Sequence, residues 1–159
     1  MAIIIGRKPK RTFIRAVCLA AVCFVVFKFV VLPVRVAGIS MEPTYLDGTW
    51  NAVNSLSYLR SEPQRGDVVG VQLSGRSIMF LKRIVGLPGE TVAFDKGVVK
   101  IDGRPLEEPY LRNALKWDKD PERLGPDEFF VVGDNRSMDM ADHSFGVAKR
   151  AKIVGKVVR

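Results

Sequence analysis

The stretch Gly38-Ile39-Ser40-Met41-Glu42-Pro43-Thr44 follows a long apolar segment and divides the 159-residue chain into two unlike parts. Before it, residues 16–32 are apolar except for Lys28. Beyond residue 33, short runs of β-branched and aromatic residues recur, and no run keeps a 3.6-residue apolar period. These patterns predict a mainly β protein, in which a single N-terminal transmembrane helix precedes a β-rich core with a small β insert.

The apolar segment fits a membrane anchor better than a cleavable signal peptide. A signal peptide has an apolar region of roughly 7–15 residues and a cleavage site with small residues. This run is longer, and the nearest candidate site, Arg35-Val36-Ala37, places Arg where a small residue is needed. We therefore predict a cytoplasmic basic tail over 1–15, an anchor over 16–33 and an extracytoplasmic domain over 34–159, with one pass through the inner (cytoplasmic) membrane.

The positive charge of the chain is concentrated in the predicted tail and anchor. The formal net charge is +8, yet seven basic residues precede Glu42, the first acidic residue. The remaining 18 Lys and Arg residues face 17 Asp and Glu residues. Because a nucleic-acid-binding domain needs clustered positive charge of its own, this distribution predicts a lipid bilayer and no nucleic acid as partner.

Few residues are available for binding a metal. Both cysteines, Cys18 and Cys23, lie in the apolar segment, and His143 is the only histidine. A thiolate zinc site in the folded domain and a cluster of His ligands are therefore excluded. The sequence predicts neither a metal nor another cofactor.

Strand-like runs occupy most of the predicted domain. The turn signals Asp95-Lys96-Gly97 and Asp102-Gly103 predict hairpins within an insert of about residues 91–126. The polar stretch from Glu107 to Asp127, which contains Trp117, is predicted to be a surface loop or part of a subdomain. The predicted strands are 34–36, 49–54, 67–73, 78–85, 91–94, 98–101, 104–106, 128–132 and 153–158.

A serine hydroxyl needs a base to become a nucleophile, and the sequence offers Lys82 for Ser40. The stretch around Ser40 does not match the G-x-S-x-G pattern, since its fifth residue is Glu42. Lys82 stands in an apolar run, where burial would lower its pKa toward the range useful for a base. However, a serine before a proline is usually a turn residue and a strand lysine usually faces solvent, so spacing alone leaves both interpretations open.

Four blocks of the sequence, in order, resemble the bacterial type I signal peptidase family. They are residues 38–44, Arg65-Gly66-Asp67-Val68-Val69, residues 81–90, and residues 131–137 leading to Phe145-Gly146. The resemblance covers nearly the whole chain. It implies a membrane-bound Ser–Lys endopeptidase that cleaves signal peptides from exported preproteins after small residues, on a β-rich core with a smaller β insert. Conjugative-transfer peptidases and mitochondrial inner-membrane proteases are relatives within this family.

The resemblance assigns roles to particular residues. It implies that Ser40 is the nucleophile, that Lys82 is the general base and that the backbone N–H of Ser40 stabilises the oxyanion. Family members with a side-chain oxyanion donor carry a hydroxyl two residues before the serine, where this chain has Gly38. Positions lining the substrate pockets are matched by Val36, Met41, Phe80 and Leu81. Supporting positions are matched by Gly38, Gly133, Asp134, Arg136 and Ser137.

The last block departs from the family pattern. Asp139 stands where a lysine-positioning serine is common, and Ala141 and His143 stand where an Asp–Arg ion pair is common. Three alternatives follow: Asp139 points away from Lys82, Ser137 orients the lysine, or the loop has another register, with Asp142 one position off. His143 is predicted to be a polar structural residue. These departures keep two competing hypotheses open, a specialised conjugation or pilin-processing peptidase and a catalytically inactive anchored β-domain acting in assembly.

Overall fold

A long apolar helix leads into the folded domain in the computed structural model, which describes residues 9–74, 78–111 and 114–158. Helix α1 spans Pro9–Val25 and continues as a π-helical turn over Val26–Val30. These 22 residues contain an 18-residue window with a mean hydropathy of 2.4, none of which is buried within the protein, so the segment is long and apolar enough to cross a membrane. Residues 1–8 of the predicted basic tail lie outside the described residues.

Eleven strands follow the helix within the described residues. They are β1 Val31–Arg35, β2 Trp50–Asn54, β3 Val68–Ser74, β4 Ile78–Gly86, β5 Thr91–Asp95, β6 Val98–Ile101, β7 Arg104–Pro105, β8 Lys119–Arg123, β9 Glu128–Val132, β10 Gly146–Lys149 and β11 Ile153–Val158. They form a large antiparallel sheet, in the order β1-β2-β11-β3-β4-β9-β10, and a small antiparallel sheet, in the order β7-β6-β5-β8. The prediction of a mainly β fold behind one apolar helix is confirmed.

The first strand starts directly at the end of the helix. The backbone N–H of Ser55 donates to the Val30 carbonyl at 2.9 Å, and its hydroxyl donates to the Phe29 carbonyl at 2.6 Å. The last carbonyl groups of a helix have no N–H donor within the helix, and these two bonds supply donors for them. Residues 31–33, which the sequence placed in the anchor, therefore lie in β1, and strand structure begins three residues before the predicted Val34.

Two strands were missed by the sequence analysis, and both lie at sheet edges. Strand β8 has the sequence Lys-Asp-Pro-Glu-Arg and pairs only with β5, while β10 pairs only with β9. An edge strand needs no apolar alternation, because one side of it and much of its surface face solvent. Of the two predictions for residues 107–127, the subdomain is correct for β8. Trp117 is buried, which contradicts its placement in a surface loop.

The small sheet packs against the large one through aromatic side chains. Phe94 of β5 lies 5.9 Å, centroid to centroid, from both Trp117 and Phe130 of β9. Val85 and Val132 of the large sheet join the same buried cluster. The segment after β9, residues 133–136, follows directly from this shared core, because Phe130 and Val132 of β9 belong to it.

Candidate active site

The loop that carries Ser40 is held against the segment after β9. Gly38 opens the loop with a φ of +92° and donates its N–H to Asp47 Oδ1 at 2.8 Å. The N–H of Asn135 donates to the Ser40 carbonyl at 3.0 Å. A Cβ on Gly133 would lie only 2.1 Å from that carbonyl oxygen, so glycine is required for the approach. The backbone around Ser40 is thus fixed by tertiary contacts rather than by local structure.

Lys82 of β4 reaches this loop from inside the protein. Its Nζ lies 2.8 Å from Ser40 Oγ, and the residue is 3% exposed. Burial lowers the pKa of Lys82 to about 8, against an opposing effect of the Asp134 carboxylate, which raises it. A substantial fraction of Lys82 is therefore neutral at mildly alkaline pH, which is the form that can accept a proton from Ser40.

Asp134 ties the Ser40 loop to β4. Arg83 donates to Asp134 through Nε at 2.8 Å and through Nη2 at 2.5 Å, a bidentate geometry. The hydroxyl of Thr44 also donates to the Asp134 carboxylate. Asp134 is 1% exposed, so the pair is a buried one, and removal of either partner would leave an uncompensated charge. Lys82 and Arg83 are adjacent in sequence but have different partners. Lys82 contacts the Ser40 hydroxyl and is partly neutral, whereas Arg83 is a charged guanidinium paired with Asp134.

Arg136 forms a second buried ion pair. Its Nη2 donates to Glu108 Oε1 at 2.7 Å, and its Nε donates to the Gly133 carbonyl at 2.9 Å. The guanidinium lies 5.6 Å from the centroid of the Phe94 ring and 5.7 Å from that of Trp117. Because Glu108 lies between β7 and β8 of the small sheet, this pair connects that sheet to the segment that holds Ser40.

His143 lies beside the same segment and is 4% exposed. Its ring makes an edge contact with Trp117 at a centroid separation of 4.9 Å and borders Gly133. Burial and the nearby charges of Lys82 and Arg136 lower the pKa of His143 to about 4, although backbone groups of Ser40 and Ser144 favour protonation. Neither ring nitrogen has a hydrogen-bond partner of normal geometry among the described residues. The neutral ring therefore packs between Trp117 and Gly133, beside the segment that contacts Ser40.

The structure favours one of the three alternatives for Asp139. Its exposed carboxylate accepts from the N–H of Ala141 at 2.9 Å and begins a 3₁₀ turn over Met140–Asp142. Asp134, and not Asp139, is the carboxylate that acts on the pKa of Lys82. The hydroxyl of Ser137 donates to Asn135 Oδ1 and is also exposed. Asp139 thus points away from Lys82, and Ser137 does not take over the orientation of the lysine.

The four predicted substrate-pocket residues fall into two groups. Val36, Met41 and Leu81 pack into one buried cluster beneath the Ser40 loop. Phe80 instead shares a pocket of about 100 Å³ with Lys82. Successive strand residues alternate between faces, which separates Phe80 from Leu81. The other residues lining this pocket are Val71, Val131 and 144–148.

A family model described as "Signal peptidase, peptidase S26" matches residues 10–159. The chain belongs to this family. A signal peptidase I of Leptolyngbya laminosa is 36% identical over 127 residues, which cover 75% of this chain and 63% of that protein. A signal peptidase IB of Staphylococcus aureus is 32% identical over 154 residues, covering 86% of this chain and 80% of that protein.

The chain thus aligns with just under two thirds of the length of its Leptolyngbya relative among the S26 peptidases. A solved structure of a signal peptidase I from Enterococcus faecalis V583 is 30% identical. The match covers 62% of this chain and 98% of that one, with a TM-score of 0.48. The family model and the sequence relatives confirm the resemblance to the signal peptidase family that four sequence blocks indicated.

Sequence reasoning missed several residues that build the site in this S26 peptidase. Arg83 and Glu108 were not recognised as the buried partners of Asp134 and Arg136. A signal for Arg83 existed, because two adjacent basic residues in an apolar strand cannot both be buried without a partner. For Glu108 and for the two hydrogen bonds of Asn135, the sequence carries no local signal, since their partners lie far away in the chain.

Proposed function

We propose that this chain is a membrane-anchored serine endopeptidase that cleaves signal peptides from exported preproteins after small residues. One observation carries the assignment of residues: a buried lysine amine of lowered pKa lies 2.8 Å from the Ser40 hydroxyl. Ser40 is the nucleophile and Lys82 is the general base. The same pairing argues against an inactive assembly module, because an isolated buried lysine is costly unless it has a function or a charged partner.

In the proposed reaction, neutral Lys82 takes the hydroxyl proton as Ser40 Oγ bonds to the scissile carbonyl carbon. The negative charge on the carbonyl oxygen is stabilised by the N–H of Ser40. When the intermediate collapses, the C–N bond breaks and the Lys82 ammonium gives its proton to the leaving amine. The mature chain leaves with this amine as its new N-terminus, and the signal peptide stays bound as an ester of Ser40. Lys82 then takes a proton from water as the water oxygen attacks the acyl ester, the ester C–O bond breaks, the proton passes to Ser40 Oγ, and the signal peptide departs with a new C-terminal carboxylate.

The test of this function is direct cleavage of a preprotein. Purified protein in detergent should release the mature chain from a preprotein with an A-x-A cleavage site, and mass spectrometry should place the cut after the second small residue. A preprotein with large residues at both positions is the control and should stay intact. A chain that cleaves only a pilin-type substrate would favour the specialised alternative, and a chain that cleaves neither would contradict the proposal.

The apolar helix supports a single-pass anchor in the inner (cytoplasmic) membrane. At about 1.5 Å per residue, its 22 residues span roughly 33 Å, enough for a hydrocarbon core of about 30 Å. Lys10, Arg11 and Arg15 at its start support a cytoplasmic N-terminus, because positive residues that flank a membrane helix favour the cytoplasmic side. Protease added to intact spheroplasts should digest the domain while a cytoplasmic marker survives. A fully protected domain would contradict this orientation.

The rate of cleavage should rise with pH through the lowered pKa of Lys82. Because the protonated amine cannot accept the serine proton, kcat/KM should follow an acid limb near pH 8 and fall to about a tenth of its plateau at pH 7. The Asp139→Ser variant is a matched control, since that carboxylate faces solvent, and its limb should coincide with that of the parent. A flat profile between pH 6 and 9 would contradict the assignment of Lys82 as the general base. A limb that moves in the Asp139→Ser variant would contradict the solvent-facing orientation of Asp139.

A further inference from the structure

Asn135 contacts the backbone on both sides of the nucleophile. Its own N–H donates to the Ser40 carbonyl at 3.0 Å, and its side-chain Nδ2 donates to the Ile39 carbonyl at 3.0 Å. These two carbonyls belong to successive peptide units, one before and one after the Cα of Ser40. Asn135 therefore contacts both backbone planes that meet at the proposed nucleophile, and the Ile39 carbonyl also accepts from the N–H of Glu42 at 3.0 Å.

The side-chain amide of Asn135 is itself oriented by Ser137. The Ser137 hydroxyl donates to Asn135 Oδ1 at 2.5 Å, and the Ser137 N–H donates to the same oxygen at 3.2 Å. Two donors on Oδ1 identify it as the carbonyl end of the amide, so the end that faces Ile39 must be the NH₂ group. The reverse orientation would place an oxygen against the Ile39 carbonyl oxygen and an NH₂ group against the Ser137 N–H.

The Ile39 carbonyl and the Ser40 N–H are the two ends of one planar peptide unit. A hydrogen bond accepted by the carbonyl polarises the unit and makes its N–H a stronger donor, as in other hydrogen-bond chains. It also fixes the direction of the N–H. Within the part of the chain that the structure describes, this N–H has no acceptor in the protein, so it is available for a substrate oxygen.

We propose that Asn135, oriented by Ser137, is a positioning residue for the oxyanion donor. The chain of hydrogen bonds runs from Ser137 to the amide of Asn135, from that amide to the Ile39 carbonyl, and through the peptide unit to the Ser40 N–H. This inference rests on the proposed function, in which that N–H stabilises the tetrahedral intermediate. Its contribution arises only when negative charge develops on the substrate oxygen, so it acts on the transition state and not on substrate binding.

The decisive variant is Asn135→Ala, because it removes the side-chain bond and keeps the backbone bond to Ser40. At a pH above the acid limb, we expect kcat to fall by about tenfold to a hundredfold and KM to stay within twofold. This is less than the 10²–10³ lost with a direct oxyanion donor. A peptide aldehyde, which adds reversibly to Ser40 Oγ and forms a tetrahedral hemiacetal, should bind more weakly by the same factor. An uncleavable substrate peptide should bind unchanged.

Variants of Ser137 and of a distant asparagine, Asn51, complete the set of test and control proteins. Ser137→Ala should reduce kcat and aldehyde affinity together by a smaller factor, and Ser137→Thr should restore both. Asn51→Ala, which removes an exposed amide hydrogen-bonded to Thr49, should behave like the parent. If Asn135→Ala fails to fold, the Ser137 pair still tests the inference.

The proposed function and the positioning role of Asn135 are contradicted by different results. If neither the parent nor Asn51→Ala cleaves the preprotein or binds the aldehyde, the proposed function itself is contradicted. An active parent in which Asn135→Ala or Ser137→Ala keeps kcat and aldehyde affinity would overturn only the positioning role. A rise in KM with constant kcat would also overturn it, since it would assign Asn135 to substrate binding.

Discussion

Replacement of Lys82 by methionine will abolish cleavage and at the same time stabilise the fold. Activity should fall by at least about 10⁴-fold, because a nucleophile and its base act as a unit. The free energy of unfolding at pH 7 should rise by about 3 kcal/mol, since the pKa of Lys82 drops from 10.5 to about 8 on folding and each unit corresponds to about 1.4 kcal/mol. Preprotein cleavage and denaturant unfolding in detergent measure the two effects.

The size of the stability effect depends on pH in a defined way. A lysine whose pKa is lowered by folding carries its full cost below pH 8, and the cost disappears as pH rises through 10.5. The gain from Lys82→Met should therefore shrink at alkaline pH. Ser40→Ala should lose activity equally without this gain, and Lys82→Arg should stay inactive because a guanidinium does not deprotonate in a protein. Normal turnover by any of the three variants would refute the dyad.

The second large effect is expected at Gly133, where one added methyl group will displace the nucleophile. In Gly133→Ala, the new Cβ would lie 2.1 Å from the Ser40 carbonyl oxygen and 2.7 Å from two atoms of the His143 ring. The carbonyl is backbone and cannot move without moving Ser40. A displacement of about 1 Å can cost 10²-fold in rate, so kcat should fall by at least about 10²-fold, with an overpacking cost of about 1–3 kcal/mol.

Gly125→Ala is the matched control for this prediction. The atoms nearest to its added Cβ belong to the flexible side chain of Glu128, with the closest at 3.0 Å, and Gly125 lies in the turn before β9. That variant should keep both kcat and the unfolding midpoint close to those of the parent. If Gly133→Ala retains parental kcat, the position of the Ser40 carbonyl is not critical for catalysis, and the geometric argument fails.

The small sheet shows which strands a sequence can and cannot reveal. The hairpin of β5 and β6 was predictable, because Asp95-Lys96-Gly97 supplies a turn between two runs of β-branched residues, and Lys96 and Gly97 adopt positive φ. Strand β8 was not predictable, since a polar edge strand containing Pro121 has no periodic signal. Its strand structure results from pairing with β5, a partner more than twenty residues earlier in the chain.

The sequence by itself determined the apolar helix, the mainly β character of the domain, and the identity of Ser40 and Lys82 as candidates. Each rests on local composition, on periodicity or on ordered blocks of residues. Tertiary structure alone decided that Nζ of Lys82 meets Ser40 Oγ across 42 residues of chain, and that Asp139 faces solvent. Asn135 likewise reaches Ile39 across 96 residues. Such contacts depend on strand order and on which side chains the packed core excludes from water, and no local pattern encodes either.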